Sequence, residues 1–216
     1  MNIPDPHGKQ PIVHYGTPLE QARAAMVMLH GRGASAHDIL SLAREWGDGK
    51  QFAFLAPQAA NATWYPYRFL EPMERNEPFL SSALLMVERV VQKIVDSNIP
   101  RERIMLLGFS QGACLALEYC ARHAQKYGGI VGLSGGLIGP DDTLRNYAGT
   151  FLQTPVFLGC SDVDFHIPQA RVIETAEIFN AMGAEVTMRL YANMDHAVNA
   201  DEIEFVRGMV ERLGDF

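Results

Sequence analysis

The sequence predicts an alternating α/β fold, a mostly parallel sheet with helices on both faces. Short continuous apolar runs alternate with helix-patterned stretches along all 216 residues, as in sheets whose strands are buried on both sides. One late stretch, 184–191 (AEVTMRLY), instead alternates Ala184, Val186, Met188 and Leu190 with Glu185, Thr187 and Arg189, which places it near a sheet edge. No repeat, low-complexity tract or linker divides the chain, so residues 1–216 read as one domain.

The elements follow in order. Apolar runs at 24–30, 51–56, 103–108, 128–133 and 155–160 are the buried strands, with 184–191 as the sixth. Helices are expected at 35–46, 79–97, 168–182 and 199–213, with another directly after residue 110. In 79–97, Leu80, Leu84, Val87, Val91 and Ile94 form one apolar stripe that Pro100 terminates. The helix at 168–182 opens on Pro168, which needs no N–H there, and closes at Gly183. Residues 57–78 and 136–153 remain irregular. The first places Trp64, Tyr65, Tyr67 and Phe69 between prolines, either to cover the core edge or to wall an apolar pocket.

Composition removes several function classes. The formal charge is −7 and the Lys and Arg residues are scattered, which opposes phosphate-backbone binding and argues against a nucleic-acid partner. The N-terminus has no hydrophobic core of a secretory signal, and no run approaches the roughly 20 apolar residues that span a bilayer. A cytoplasmic location with no transmembrane segment follows. Cys114, Cys120 and Cys160 match no disulfide or zinc spacing and read as buried free thiols. Self-association into a homodimer is left open by the sequence.

Two stretches fit G-x-S-x-G: Gly108-Phe-Ser-Gln-Gly112 and Gly132-Leu-Ser-Gly-Gly136. A nucleophile elbow needs a buried strand before the serine and a helix immediately after it. Ser110 has both, with Ile104 to Leu107 before it and a strong helix former after it. Ser134 runs into Gly135, Gly136, Gly139 and Pro140, which do not nucleate a helix, and so reads as structural.

A serine nucleophile needs a base, and the base an orienting acid, in the chain order Ser, acid, His on loops after successive strands. Asp162 and Asp164 both follow strand 155–160, and spacing does not separate them. His196 is the histidine that follows the last strand and is the expected base. His7 and His14 are expected at the surface, and His166 sits out of order. For the oxyanion, the backbone N–H of Gln111 and that of Arg32, in the His30-Gly-Arg-Gly33 loop, are the candidate donors.

Rival readings are weaker. Gly31-Arg-Gly-Ala-Ser-Ala36 fits a dinucleotide fingerprint, yet the following strand ends in Leu55-Ala-Pro-Gln58 without the ribose-binding acid. A metal hydrolase using Asp162, Asp164, His166 and His196 lacks any H-x-x-x-H spacing. A non-catalytic binding protein on the same fold is the remaining alternative. No metal and no cofactor is expected.

Taken together, HGRGAS at 30–35, APQAAN-x-TWY at 56–65, GFSQGA at 108–113, GLSGGL at 132–137, SDVDFHIP at 161–168 and MDHAV at 194–198 resemble the phospholipase/carboxylesterase family, which includes the acyl-protein thioesterases. The resemblance runs from about residue 24 to the end. It implies a compact α/β-hydrolase without a large cap domain and cofactor-free hydrolysis of carboxylic esters or thioesters. It also implies Ser110 as nucleophile, His196 as base, and Arg32 and Gln111 as oxyanion donors. It selects Asp164 as the acid, because Asp164-Phe-His-Ile-Pro168 matches the family's D-x-x-[VI]-P run. Trp64 and Tyr65 are then expected to shape the acyl site. Arg32 stands where the family often has an apolar residue, which points to a substrate with an anionic group. Asp195, preceding the base in place of glycine, is expected to face solvent.

Overall fold

The computed structural model describes residues 4–46 and 51–214; Met1 to Ile3, the start of the stretch read above as lacking a signal, lie outside the described residues. Seven strands form one sheet: β1 (Ile12–Gly16), β2 (Ala24–Leu29), β3 (Phe52–Pro57), β4 (Ile104–Phe109), β5 (Gly129–Leu133), β6 (Pro155–Ser161) and β7 (Glu185–Tyr191). Their order is β1-β3-β2-β4-β5-β6-β7, with every pair parallel except β1 with β3. Five helices complete the fold: α1 (Ala36–Ser41), α2 (Phe79–Asp96), α3 (Gln111–Arg122), α4 (Gln169–Ala181) and α5 (Ala200–Gly214).

The period-two geometry of the strands sorts the core into two layers. Ala25, Val27 and Leu29 of β2 and Ile104 and Leu106 of β4 face the larger cluster, which α2, α3 and α4 cover. Ala24, Met26, Met28, Met105 and Leu107 face the other, covered by α1 and α5. This is the predicted α/β arrangement, compact and without a large cap among the described residues.

The sequence did not reveal β1. It has no continuous apolar run, its residues are half-buried or exposed, and pairing with the wholly buried β3 defines it. At the opposite edge lies β7, as expected, although its alternation is imperfect. Ala184, Val186 and Leu190 pack on the larger cluster, while Met188 is exposed. Arg189 on the other face lies over the Phe205 ring, 4.8 Å from its centroid. The second irregular segment, 136–153, contains no helix, so the chain passes from β5 to β6 as a loop pinned by buried Arg171 and Glu118. His7, expected at the surface, is instead fully buried, bonded to the Trp64 carbonyl and the Ala60 amide. The fold accepts it because both ring nitrogens find partners, and burial lowers its pKa so that it stays neutral.

Backbone meets backbone closely at the junction of β4 and α3. A Cβ on Gly108 would lie 2.2 Å from the Gly112 carbonyl oxygen, and one on Gly112 would lie 2.1 Å from the Leu29 carbonyl oxygen. Helix α3 can therefore press onto β2 only because these positions have no side chain. Gly112→Ala is expected to destabilise the protein by about 1–3 kcal/mol or prevent folding, as read by urea denaturation; a change within about 0.5 kcal/mol would contradict this packing.

Candidate active site

Ser110 stands at the end of β4 with φ 54° and ψ −119°, a strained conformation for a residue with a Cβ. Its amide donates to the Leu133 carbonyl and its carbonyl accepts from Cys114 at the start of α3, so both neighbouring elements fix the turn. The parallel sheet brings the loops after β6 and β7 to the same edge. There His196 Nε2 lies 2.8 Å from Ser110 Oγ, and His196 Nδ1 lies 2.6 Å from Asp164 Oδ2.

Asp164 is the acid that faces His196. Its side chain is fully buried, and the amides of His166 and Ile167 donate to Oδ1 at 2.8 and 3.0 Å. Burial opposes ionisation, yet the hydrogen bonds from His196 and these two amides outweigh it and hold the carboxyl below its ordinary range. Asp162 turns elsewhere and accepts from the Asn193 amide at 2.9 Å, bracing the loop that carries His196. The Cys160 thiol lies 3.8 Å from Asp164 Oδ2; burial, then the Asp164 charge, push it up to about 12, so it stays protonated. His166, out of chain order, nevertheless packs its ring 4.9 Å from that of His196. Asp195 is exposed, as expected.

A cavity of about 600 Å³ opens over Ser110 and His196. Tyr65, Phe69, Phe109, Cys114 and Ile167 supply apolar surface, and Arg32, Gln111 and His166 also line it. Trp64, expected as a wall of this site, does not reach the cavity. It is fully buried beneath, 5.0 Å from the His30 ring, with Nε1 donating to the His30 carbonyl. Burying a large ring whose single donor is satisfied makes Trp64 a support for the loop rather than a substrate contact. Arg32 also behaves differently from expectation. Its guanidinium bonds the carbonyl oxygens of Tyr65, Pro66 and Tyr67, so these donors are already used and do not await a substrate anion.

Arg32 and Gln111 both line the cavity, and neither of their backbone amides has an acceptor among the described residues. Gly31 packs against Phe109 and Ser110, which brings the HGRG loop beside the serine. The dinucleotide reading fails at this loop. Ser35 and Asp38 form a capping box at the start of α1, and the Asp38 carboxylate occupies the position a pyrophosphate would need. Ser134 is fully buried and no helix follows it, matching the structural reading.

A family model described as Phospholipase/Carboxylesterase matches residues 15–213. The chain belongs to the phospholipase/carboxylesterase family. It is similar to acyl-protein thioesterase 1 of Saccharomyces cerevisiae, 28% identical with 90% of this chain and 94% of that protein covered. The same-named protein of Gibberella zeae is 26% identical, covering 89% and 91%. Among solved structures, a phospholipase/carboxylesterase from Dyadobacter fermentans superposes with a TM-score of 0.90 at 45% identity, covering 94% of this chain and 97% of that one. The Bacillus cereus carboxylesterase shares the fold, with a TM-score of 0.71 at 17% identity and 95% of each chain covered.

The loop that carries His196 is anchored where α5 begins. Asn199 N donates to Glu202 Oε2 and Glu202 N donates to Asn199 Oδ1, each at 2.9 Å. Glu202 is fully buried with Oε1 against Gly159 and no hydrogen-bond partner for that atom among the described residues. Burial raises its pKa to about 7, Asp201 adding to the rise and the Asn199 amide opposing it. Below the ordinary value of 4.5 both folded and unfolded forms hold the proton. As pH rises towards the folded value, the unfolded chain ionises first, and up to about 3 kcal/mol of stability is lost. Glu202→Gln should therefore gain stability relative to wild type between about pH 5 and about pH 8 in urea unfolding. An equal difference at both pH values would contradict this assignment.

Proposed function

We propose that Ser110, His196 and Asp164 form the catalytic triad of a serine hydrolase acting on carboxylic esters or acyl thioesters. The observation that carries this is the continuous contact Ser110 Oγ to His196 Nε2 to Asp164, at 2.8 and 2.6 Å, on the floor of a cavity. Family membership supports the same chemistry.

In this reading Ser110 Oγ attacks the acyl carbonyl while its proton passes to His196 Nε2. Asp164 keeps the proton on Nδ1 and stabilises the imidazolium. The carbonyl oxygen becomes negative within reach of the Gln111 and Arg32 amides, where one lost donor costs about 3–4 kcal/mol. The new proton on Nε2 goes to the leaving alkoxide or thiolate as the C–O or C–S bond breaks, and the acyl group stays on Ser110. Water then attacks the acyl-enzyme, its proton passes to Nε2 and on to Ser110, and the carboxylic acid leaves.

The cavity takes the acyl group against Tyr65, Phe69 and Ile167. The thioesterase relatives support an acyl thioester as one substrate class. The whole chain acts as one α/β-hydrolase domain, and three buried free thiols support a cytoplasmic setting. No helix among the described residues is long and apolar enough to cross a membrane.

A chain-length series of neutral aryl esters and matched thioesters tests the proposal. Ser110→Ala and His196→Ala should each lower kcat/KM by at least about a thousandfold across the series. Asp164→Asn should lower it by about a thousandfold to ten-thousandfold by the loss of the correct tautomer, with Asp162→Asn far milder. Turnover that survives Ser110→Ala would refute the assignment.

A further inference from the structure

The two residues whose amides form the proposed oxyanion pair send their side chains to one short segment, 63–67. Arg32 Nη2 donates to the carbonyl oxygens of Tyr65 and Tyr67 at 3.0 and 2.7 Å, and Nη1 donates to that of Pro66 at 2.8 Å. Gln111 Nε2 donates to the same Tyr65 oxygen at 2.8 Å, and Gln111 Oε1 accepts from the Trp64 amide at 2.9 Å. The Thr63 hydroxyl, with one proton to give, lies 3.0 Å from the Tyr65 oxygen and 3.3 Å from Gln111 Oε1. Trp64 Nε1 to the His30 carbonyl, and Gly33 N to the carbonyl of Ala62 just before the segment, tie this stretch to both flanks of Arg32.

An oxyanion hole assembled from two separate elements must hold its donors at a fixed spacing before the charge develops. Here one donor rides on the loop after β2 and the other on the first turn of α3. The Tyr65 carbonyl receives a charged donor from the first residue and a neutral one from the second, beside the Thr63 hydroxyl. All three acceptors of the Arg32 side-chain bonds are neutral carbonyls, so its guanidinium acts as a planar fork that sets geometry. We infer that the Arg32 guanidinium and the Gln111 carboxamide are positioning groups that set the spacing of the two oxyanion amides through their shared acceptor, the Tyr65 carbonyl. This rests on the serine-hydrolase reading and adds residues to it. Tyr65 is also among the residues that line the cavity, so the clamp lies directly against the site.

The test compares Arg32→Leu, Arg32→Lys, Gln111→Leu and the double variant Arg32→Leu/Gln111→Leu with wild type. Active sites are counted by stoichiometric reaction with an aryl phosphonate, and kcat is expressed per titrated site on a neutral short-chain aryl ester. Arg32→Leu is expected to lower kcat about tenfold to a hundredfold, the scale of a small misplacement, with KM within about threefold. A trifluoromethyl ketone, whose adduct places an oxyanion in the hole, should weaken in proportion to the loss in kcat/KM. Arg32→Lys should recover part of the loss, since an ammonium reaches one carbonyl but not the fork. The double variant should lose less than the product of the single losses, since either change already breaks the shared clamp. Unchanged kcat per titrated site with only a lower melting temperature, a loss confined to KM, or single effects that multiply would overturn the inference. Arg32 is exposed, so its two variants decide the matter if those of buried Gln111 do not fold. Failure of the underlying hydrolase reading is distinguishable, because wild type itself would then not react with the phosphonate.

Discussion

The contact of Gly112 with the carbonyl end of β2 is the constraint on which the site depends. It lets α3 begin directly beneath the strand ends, and Gly108 lets β4 turn sharply enough to reach that start. Ser110 is left at positive φ between them, a conformation worth roughly 1–3 kcal/mol of strain. The strain is held because α3 is buried from Gln111 to Ala121, so any relaxation of the turn would pull a whole helix from the core. Close packing at this joint also brings the loop after β2 beside the serine.

The remaining groups arrive by topology. Parallel strands β4, β6 and β7 end at one edge, and their ends lead to Ser110, Asp164 and His196 in turn. Short local bonds then aim each side chain: two amides for Asp164, Asp162 and the Asn199–Glu202 pair for the loop of His196. Glu202 shows the cost of this arrangement, a buried acid retained where it orders the exit of the His196 loop.

Much of this was legible in the sequence, for identifiable reasons. Buried strands are written as continuous apolar runs, and the chain order Ser, acid, His follows from successive strand ends. The edge strand β1 was not legible, because its pairing with β3 leaves no apolar run to read. His7 and Trp64 were misplaced because burial of a polar ring depends on partners supplied by distant backbone, such as Ala60 N and the His30 carbonyl. Arg32 illustrates the same limit. Its charge is visible in the sequence, but three backbone carbonyls carry no side-chain signature that would announce where it goes.

The proposed reaction proceeds through covalent attachment at a single hydroxyl, that of Ser110. It is tested most directly by acid-quenching the enzyme during turnover of an activated aryl ester, digesting it and locating the acyl mass. About one acyl group per active enzyme molecule is expected, carried by the peptide that contains Ser110. An acyl group reproducibly found on another residue would contradict it.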